Sequence, residues 1–150
     1  MYYTTNEYKF WKLLRDKMRK EFILSRIESV VSVGIPDVFW AHRKHGTNGW
    51  MELKIVHGKK LRFGKEQAAW IKQHAKAGVP VQIIALKHGP PTGPNAKAIY
   101  LWDGKDIDDV KAHGIESSSA SVWSSPFEWP EIIGAINKKS CAPDTKVSKD

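Results

Sequence analysis

With 150 residues, 41% hydrophobic and 27% charged, the chain has the size and composition of one globular domain and is neither largely disordered nor fibrous. No apolar run reaches the ~18 residues of a membrane span, and the N-terminal MYYTTNEYKFWKLLRDKMRK lacks a signal peptide's unbroken apolar core. The formal net charge of +8 is uneven: residues 1–88 hold 17 Lys/Arg against 7 Asp/Glu, residues 89–150 only 7 against 9, so the first part suits a polyanionic partner.

In chain order, residues 6–21 form the first expected helix. Tyr8, Trp11, Leu13, Leu14 and Met18 approximate its apolar stripe, and Lys9, Lys12, Arg15, Lys17 and Arg19 fill the other faces. Thr4 or Thr5 is its expected N-cap, with Glu7 as a capping-box partner. Residues 22–33, rich in Ile and Val, read as one strand, straight or bent. Gly34 frees the backbone for a turn, and Pro36 places Asp37 at the start of the next strand, Val38-Phe39-Trp40.

A polar loop from His42 to Gly49 follows, holding Arg43, Lys44 and His45. His42 and His45 make a weak zinc pattern, because Cys141 is the lone cysteine. The strand Trp50 to Val56 then carries charges at every second position. Glu52 and Lys54 point to one side, Met51, Leu53 and Ile55 to the other. Two charges on an apolar strand are costly unless paired, and a divalent cation shared by Asp37 and Glu52 would pair them.

A basic loop over residues 57–64 holds Lys59, Lys60 and Arg62, and leads into a helix over 65–76 that Gly78 and Pro80 end. Residues 79–86 are a buried strand, so strand, helix and strand make a parallel crossover. After a Pro/Gly-rich loop, residues 98–102 form another strand and 105–113 a short helix. Residues 116–125 read as a mobile Ser-rich linker, and residues 130–138 as a small helix docking through Trp129, Ile132, Ile133 and Ile136. Disorder is expected from Lys139 onward. The expected division is a domain over 1–115, linker and docking helix over 116–138, and a tail over 139–150.

Pro36-Asp37, Glu52-Leu53-Lys54 and Gln67, in the order strand, Glu-x-Lys, Gln-bearing helix and apolar strand, resemble the PD-(D/E)xK nuclease superfamily. Within it the order is similar to VRR-NUC-like nucleases and phage Holliday-junction-resolvase-like nucleases, although the Val-Arg-Arg signature is missing. The resemblance covers about residues 22–88. It implies an α/β, restriction-endonuclease-like core, a mixed central sheet flanked by helices in the order α-β-β-β-α-β, with a short C-terminal extension.

The resemblance further implies a deoxyribonuclease dependent on Mg²⁺ or Mn²⁺ and acting on branched or double-stranded DNA. Asp37, Glu52, Lys54 and Gln67 would be catalytic. Asp37, Glu52 and the Leu53 carbonyl would be metal ligands, with Glu28 as a further one against which Glu21 and Glu7 compete. Arg43, Lys44, Lys59, Lys60 and Arg62 would hold phosphates. A homodimer would follow for a junction substrate, and the lone Cys141 separately points to a cytosolic protein of a bacterial or phage-infected cell. Two alternatives stand beside this: an inactive basic nucleic-acid-binding module, and a phage host-takeover protein that binds a partner through Trp123, Phe127 and Trp129.

Overall fold

The computed structural model describes residues 6–27 and 34–140, the side chains of the last two excepted. Helix α1 (Asn6–Met18) leads into β1 (Phe22–Arg26), β2 (Val38–His42) and β3 (Asn48–Ile55). Helix α2 (Lys65–Lys76), β4 (Val81–Lys87) and β5 (Ala98–Asp103) follow, then α3 (Ile107–His113), β6 (Ser121–Ser124) and α4 (Trp129–Ser140). The six strands form one mixed sheet in sequential order. Every pair is antiparallel except β3–β4, which the α2 crossover makes parallel. The expected α-β-β-β-α-β succession is therefore present, in a mixed sheet flanked by helices.

Strand alternation divides the interior into two layers. On one face, Phe10, Trp11, Leu14 and Met18 of α1 and Ile132, Ile133 and Ile136 of α4 bury Val38, Trp40, Met51, Leu53, Ile84 and Leu101. On the other, Ala68 and Ile71 of α2 and Ile107 and Val110 of α3 cover Val81, Ile83, Ala85, Tyr100 and Trp102. Glu52 lies on this second face beside Trp50 and Lys54, because its neighbours Met51 and Leu53 point to the first.

Several local expectations are corrected. Helix α1 ends at Met18, and residues 19–21 turn back through the Glu21 N–H to Met18 carbonyl bond. Strand β1 ends at Arg26, and residues 28–33 lie outside the described residues, as do Thr4 and Thr5. The loop between β2 and β3 is shorter than expected, because His42 and Asn48 both belong to strands.

Residues 116–125 are not a mobile linker. Ser117 is buried and its Oγ accepts the Trp102 Nε1–H at 2.7 Å, Ser119 Oγ donates to Asp109 at 2.8 Å, and residues 121–124 are β6, paired with β5. The serines satisfy specific donors and acceptors in place of solvating a chain. Helix α4 docks as expected, and Gln82 Nε2 donates to the Ile136 carbonyl at 2.7 Å beneath it. Trp123, Phe127 and Trp129 are half-buried against this same core, so they serve the chain's own packing. Among the described residues, no helix is long and apolar enough to cross a membrane.

Ile132 and Ile136 are fully buried. Ile136→Ala should cost about 2–5 kcal/mol of unfolding free energy in urea titration, the usual range for a core isoleucine. Removing residues 117–150 should abolish the cooperative transition. A fully cooperative truncated protein would show that α4 is dispensable.

Candidate functional site

The β2–β3 register sets the site. Val38 opposes Met51, so Asp37, one residue earlier, stands opposite Glu52. Asp37 Oδ2 accepts the Leu53 N–H at 2.8 Å, which fixes the carboxylate against β3. Glu52 is 1% exposed. Its Oε2 lies 3.3 Å from Lys54 Nζ and accepts Gln67 Nε2–H at 2.9 Å, while Gln67 Oε1 accepts from Lys54 Nζ at 2.9 Å. The three side chains close a ring. Gln67 is placed for this in the first turn of α2, where the Gly64 N–H also donates to its Oε1 at 3.0 Å. The Phe63 ring lies 4.6 Å from Lys54 Nζ and restricts it further.

The other oxygen, Glu52 Oε1, is buried without a hydrogen-bond partner. Burial, and then the Asp37 charge, push the Glu52 carboxyl from 4.5 up to about 8 against the opposing pull of Lys54. Asp37 is raised by burial, although the Leu53 N–H, Lys54 and Arg26 pull it down. Glu7 is the third member: burial and Asp37 raise its carboxyl, and the two side chains share a hydrogen bond. The Asp37 charge raises both Glu52 and Glu7, which marks a place deficient in positive charge.

The donors therefore fit a divalent cation. Glu52 offers an unsatisfied oxygen, Asp37 stands opposite it, and the Leu53 carbonyl belongs to the same strand. Among the described residues, no three His, Cys, Asp or Glu side chains form a ready metal cage. The donors suit an ion such as Mg²⁺, which takes one or two carboxylates and retains several waters. A cavity of about 480 Å³ opens here, lined by Asn6, Glu7, Lys54, Ile55, His57 and Arg62.

The remaining sequence candidates divide by position. Arg62 lines the cavity, and Lys59 and Lys60 belong to the turn that His57 opens, with Lys59 bound to Glu116 at 2.9 Å. Arg43 and Lys44 are not beside Asp37. They follow β2 at its far end, about 20 Å away at ~3.3 Å per strand residue. Glu21 is also at that end, 3.6 Å from His42 Nε2, and Glu28 lies outside the described residues. His42 Nδ1 accepts the N–H groups of Lys44 and His45, both at 3.1 Å, so this ring braces the hairpin and is not free for zinc.

Sequence reasoning passed over Arg26, Asn6 and His57. Arg26 lowers both Glu7 and Asp37, stacks over Tyr8 and Trp11 at 5.7 Å, and has a buried Nη1 without a partner. Its distance in sequence from Asp37 hid it, and only strand pairing brings Arg26 opposite Val38.

No family model matches the sequence, and no curated protein matches it. A solved structure that the chain resembles is Hjc of Archaeoglobus fulgidus, a Holliday junction resolvase. The TM-score is 0.48 and the identity 14%, over 85% of this chain and 98% of that one.

The raised Glu52 carboxyl gives a pH prediction. Between about 4.5 and about 8 the folded protein holds a proton that the unfolded chain has released. Stability without metal should therefore fall as pH rises through that window. Glu52→Gln should flatten the fall and, at pH above ~8, raise stability by on the order of 1 kcal/mol or more, read from urea titrations in EDTA. The same pH slope in both proteins would contradict this account.

Proposed function

We propose that the chain is a divalent-cation-dependent endonuclease that hydrolyses DNA phosphodiester bonds, of the PD-(D/E)xK type, with branched DNA as the substrate the sequence resemblance favours. One observation carries the reading: Glu52, buried in β3 with an unsatisfied oxygen, stands opposite Asp37 and two residues from a clamped lysine, beside an open cavity. A carboxylate oxygen buried and unpaired costs free energy that a bound cation would recover.

Asp37, Glu52 and the Leu53 carbonyl would hold the cation. Glu7, which shares a hydrogen bond with Asp37, would be a further carboxylate at the site, whereas Glu21 lies at the far end of β2. When bound, the cation supplies charge neutralisation for the phosphate and makes water a stronger nucleophile at neutral pH. Lys54 Nζ, held by Glu52 and Gln67, is aimed to orient the attacking water or to donate to a phosphoryl oxygen as charge builds on it. Gln67 positions the lysine and the carboxylate together. Arg62, with Lys59 and Lys60 on the neighbouring turn, meets the phosphate backbone at the cleft, and such contacts carry no base information. A four-way junction offers two strands to cut, so a two-fold dimer would follow for that substrate.

The test uses labelled four-way junction, flap, duplex and single-stranded DNA, and the corresponding RNA, each with Mg²⁺, Mn²⁺ or EDTA. Metal-dependent cutting is expected. Asp37→Asn, Glu52→Gln and Lys54→Ala should each lower it by about 10²-fold or more while retaining DNA binding in EDTA. Gln67→Ala should cost about tenfold, because the lysine stays but is no longer aimed. Undiminished cutting by Asp37→Asn would overturn the proposal. Salt-sensitive binding of every substrate with no cutting would assign a binding module instead.

A further inference from the structure

Arg43 and Lys44, at the far end of β2, belong to a strongly basic surface away from the candidate site. Arg43 Nε donates to the Arg19 carbonyl at 3.1 Å, and the Arg43 N–H donates to the Glu21 carbonyl at 2.8 Å. These bonds tie the β2–β3 hairpin to the turn after α1. They bring Arg19, Lys20, Arg43 and Lys44 into one region, and all four are exposed. Among the described residues none of the four is in an ion pair; Asp16 pairs with Arg15, and the Glu21 carboxylate, 3.6 Å from His42 Nε2, is the one acid left beside them. Four cations gathered in one region with a single carboxylate among them repel one another, and that cost is relieved when an anion binds.

The position of this surface relative to the cleft is fixed twice over. Glu7 to Arg19 spans twelve helical steps at ~1.5 Å, about 18 Å. Asp37 to Arg43 spans six strand steps at ~3.3 Å, about 20 Å. Both rulers start at the candidate site and end at the basic surface. Between the two ends, Lys9 and Lys12 are exposed on the α1 face opposite Phe10, Leu14 and Met18, in line with Arg19 and Lys20. Apart from exposed Asp16, which lies on this face and pairs with Arg15, the track from the cleft to the hairpin is positive.

We infer that Arg19, Lys20, Arg43 and Lys44 are a second phosphate-binding site, which grips a double-stranded arm of the substrate about five or six base pairs from the scissile phosphate. At ~3.4 Å per base-pair step, ~18–20 Å along the axis is about half a helical turn, so the near-side phosphates met there belong to the complementary strand. This inference rests on the proposed nuclease reading. A duplex suits the track because it is stiff over this length, so two sites at a fixed separation meet phosphates at a fixed separation. The distal site would set the length of duplex that the protein needs and the orientation in which the arm enters.

The experiment maps phosphates. The cut position is first located with the wild-type protein and Mg²⁺. Phosphate ethylation interference and salt-dependent anisotropy are then measured in EDTA with Glu52→Gln, alone and combined with Lys20→Gln/Lys44→Gln or with all four distal substitutions to Gln. The pair variant leaves the Arg43 to Arg19 bond intact, so it serves if the quadruple variant folds poorly. Expected is a second cluster of interfering phosphates on the complementary strand, about five or six positions from the cut, weakened by the pair variant and lost in the quadruple one. The slope of log affinity against log salt should shrink by about 0.9 per contact removed. Interference confined to the cut region, with an unchanged salt slope in the variants, overturns the distal site and leaves the nuclease reading standing. Absence of both cutting and binding overturns the two together.

Discussion

Glu52 is a carboxylate placed in the middle of a buried strand, and much of the architecture answers to that placement. A charged group at this depth costs several kcal/mol unless paired, so the fold surrounds it with specific partners. Lys54 approaches along the strand, Gln67 reaches from the first turn of α2, and Asp37 arrives on the neighbouring strand. These partners satisfy only one of its oxygens, and the carboxyl is pushed up to about 8. Such an arrangement stores an unmet demand for positive charge. The neighbouring Lys54, with Glu7, lines the open cavity.

The rest of the chain makes that demand tolerable. Asp37 can oppose Glu52 only because β2 and β3 pair in one register, and that register is held by Trp40, Val38, Met51 and Leu53 on the opposite face. Helix α1 covers this apolar layer and carries Glu7 to the same end of the sheet. Helix α2 reaches Glu52 because the parallel β3–β4 crossover lays it on the charged face. The C-terminal segment contributes as well, since β6 extends the sheet and α4 fills the layer beside α1. A charged site of this kind depends on apolar packing several residues away.

Much of this was legible in the sequence because strand periodicity is a strong signal. Alternating charge at Glu52 and Lys54, with Pro36 before Asp37, was enough to place the carboxylates on adjacent strands, and the crossover followed from the Gln67 helix and the apolar run after it. What escaped depended on chain reversal and on long-range pairing. Arg43 and Lys44 looked close to Asp37 in number, but a strand carries them to the other end of the molecule. Arg26 and Glu7 looked remote, and hairpin pairing and helix packing return them. Serines 117 and 119 resembled a flexible linker by composition, whereas Trp102 and Asp109 give each a partner that composition cannot reveal.

The account stands on Glu52 and Asp37 binding a divalent cation, and calorimetric titration with Mn²⁺ at neutral pH tests that most directly. Run in two buffers of different ionisation enthalpy, it also counts the protons released. Saturable binding that releases protons as the raised carboxyls ionise is expected, with loss of that binding in Glu52→Gln. Binding that is unchanged in the variant, or that releases no protons, would contradict it.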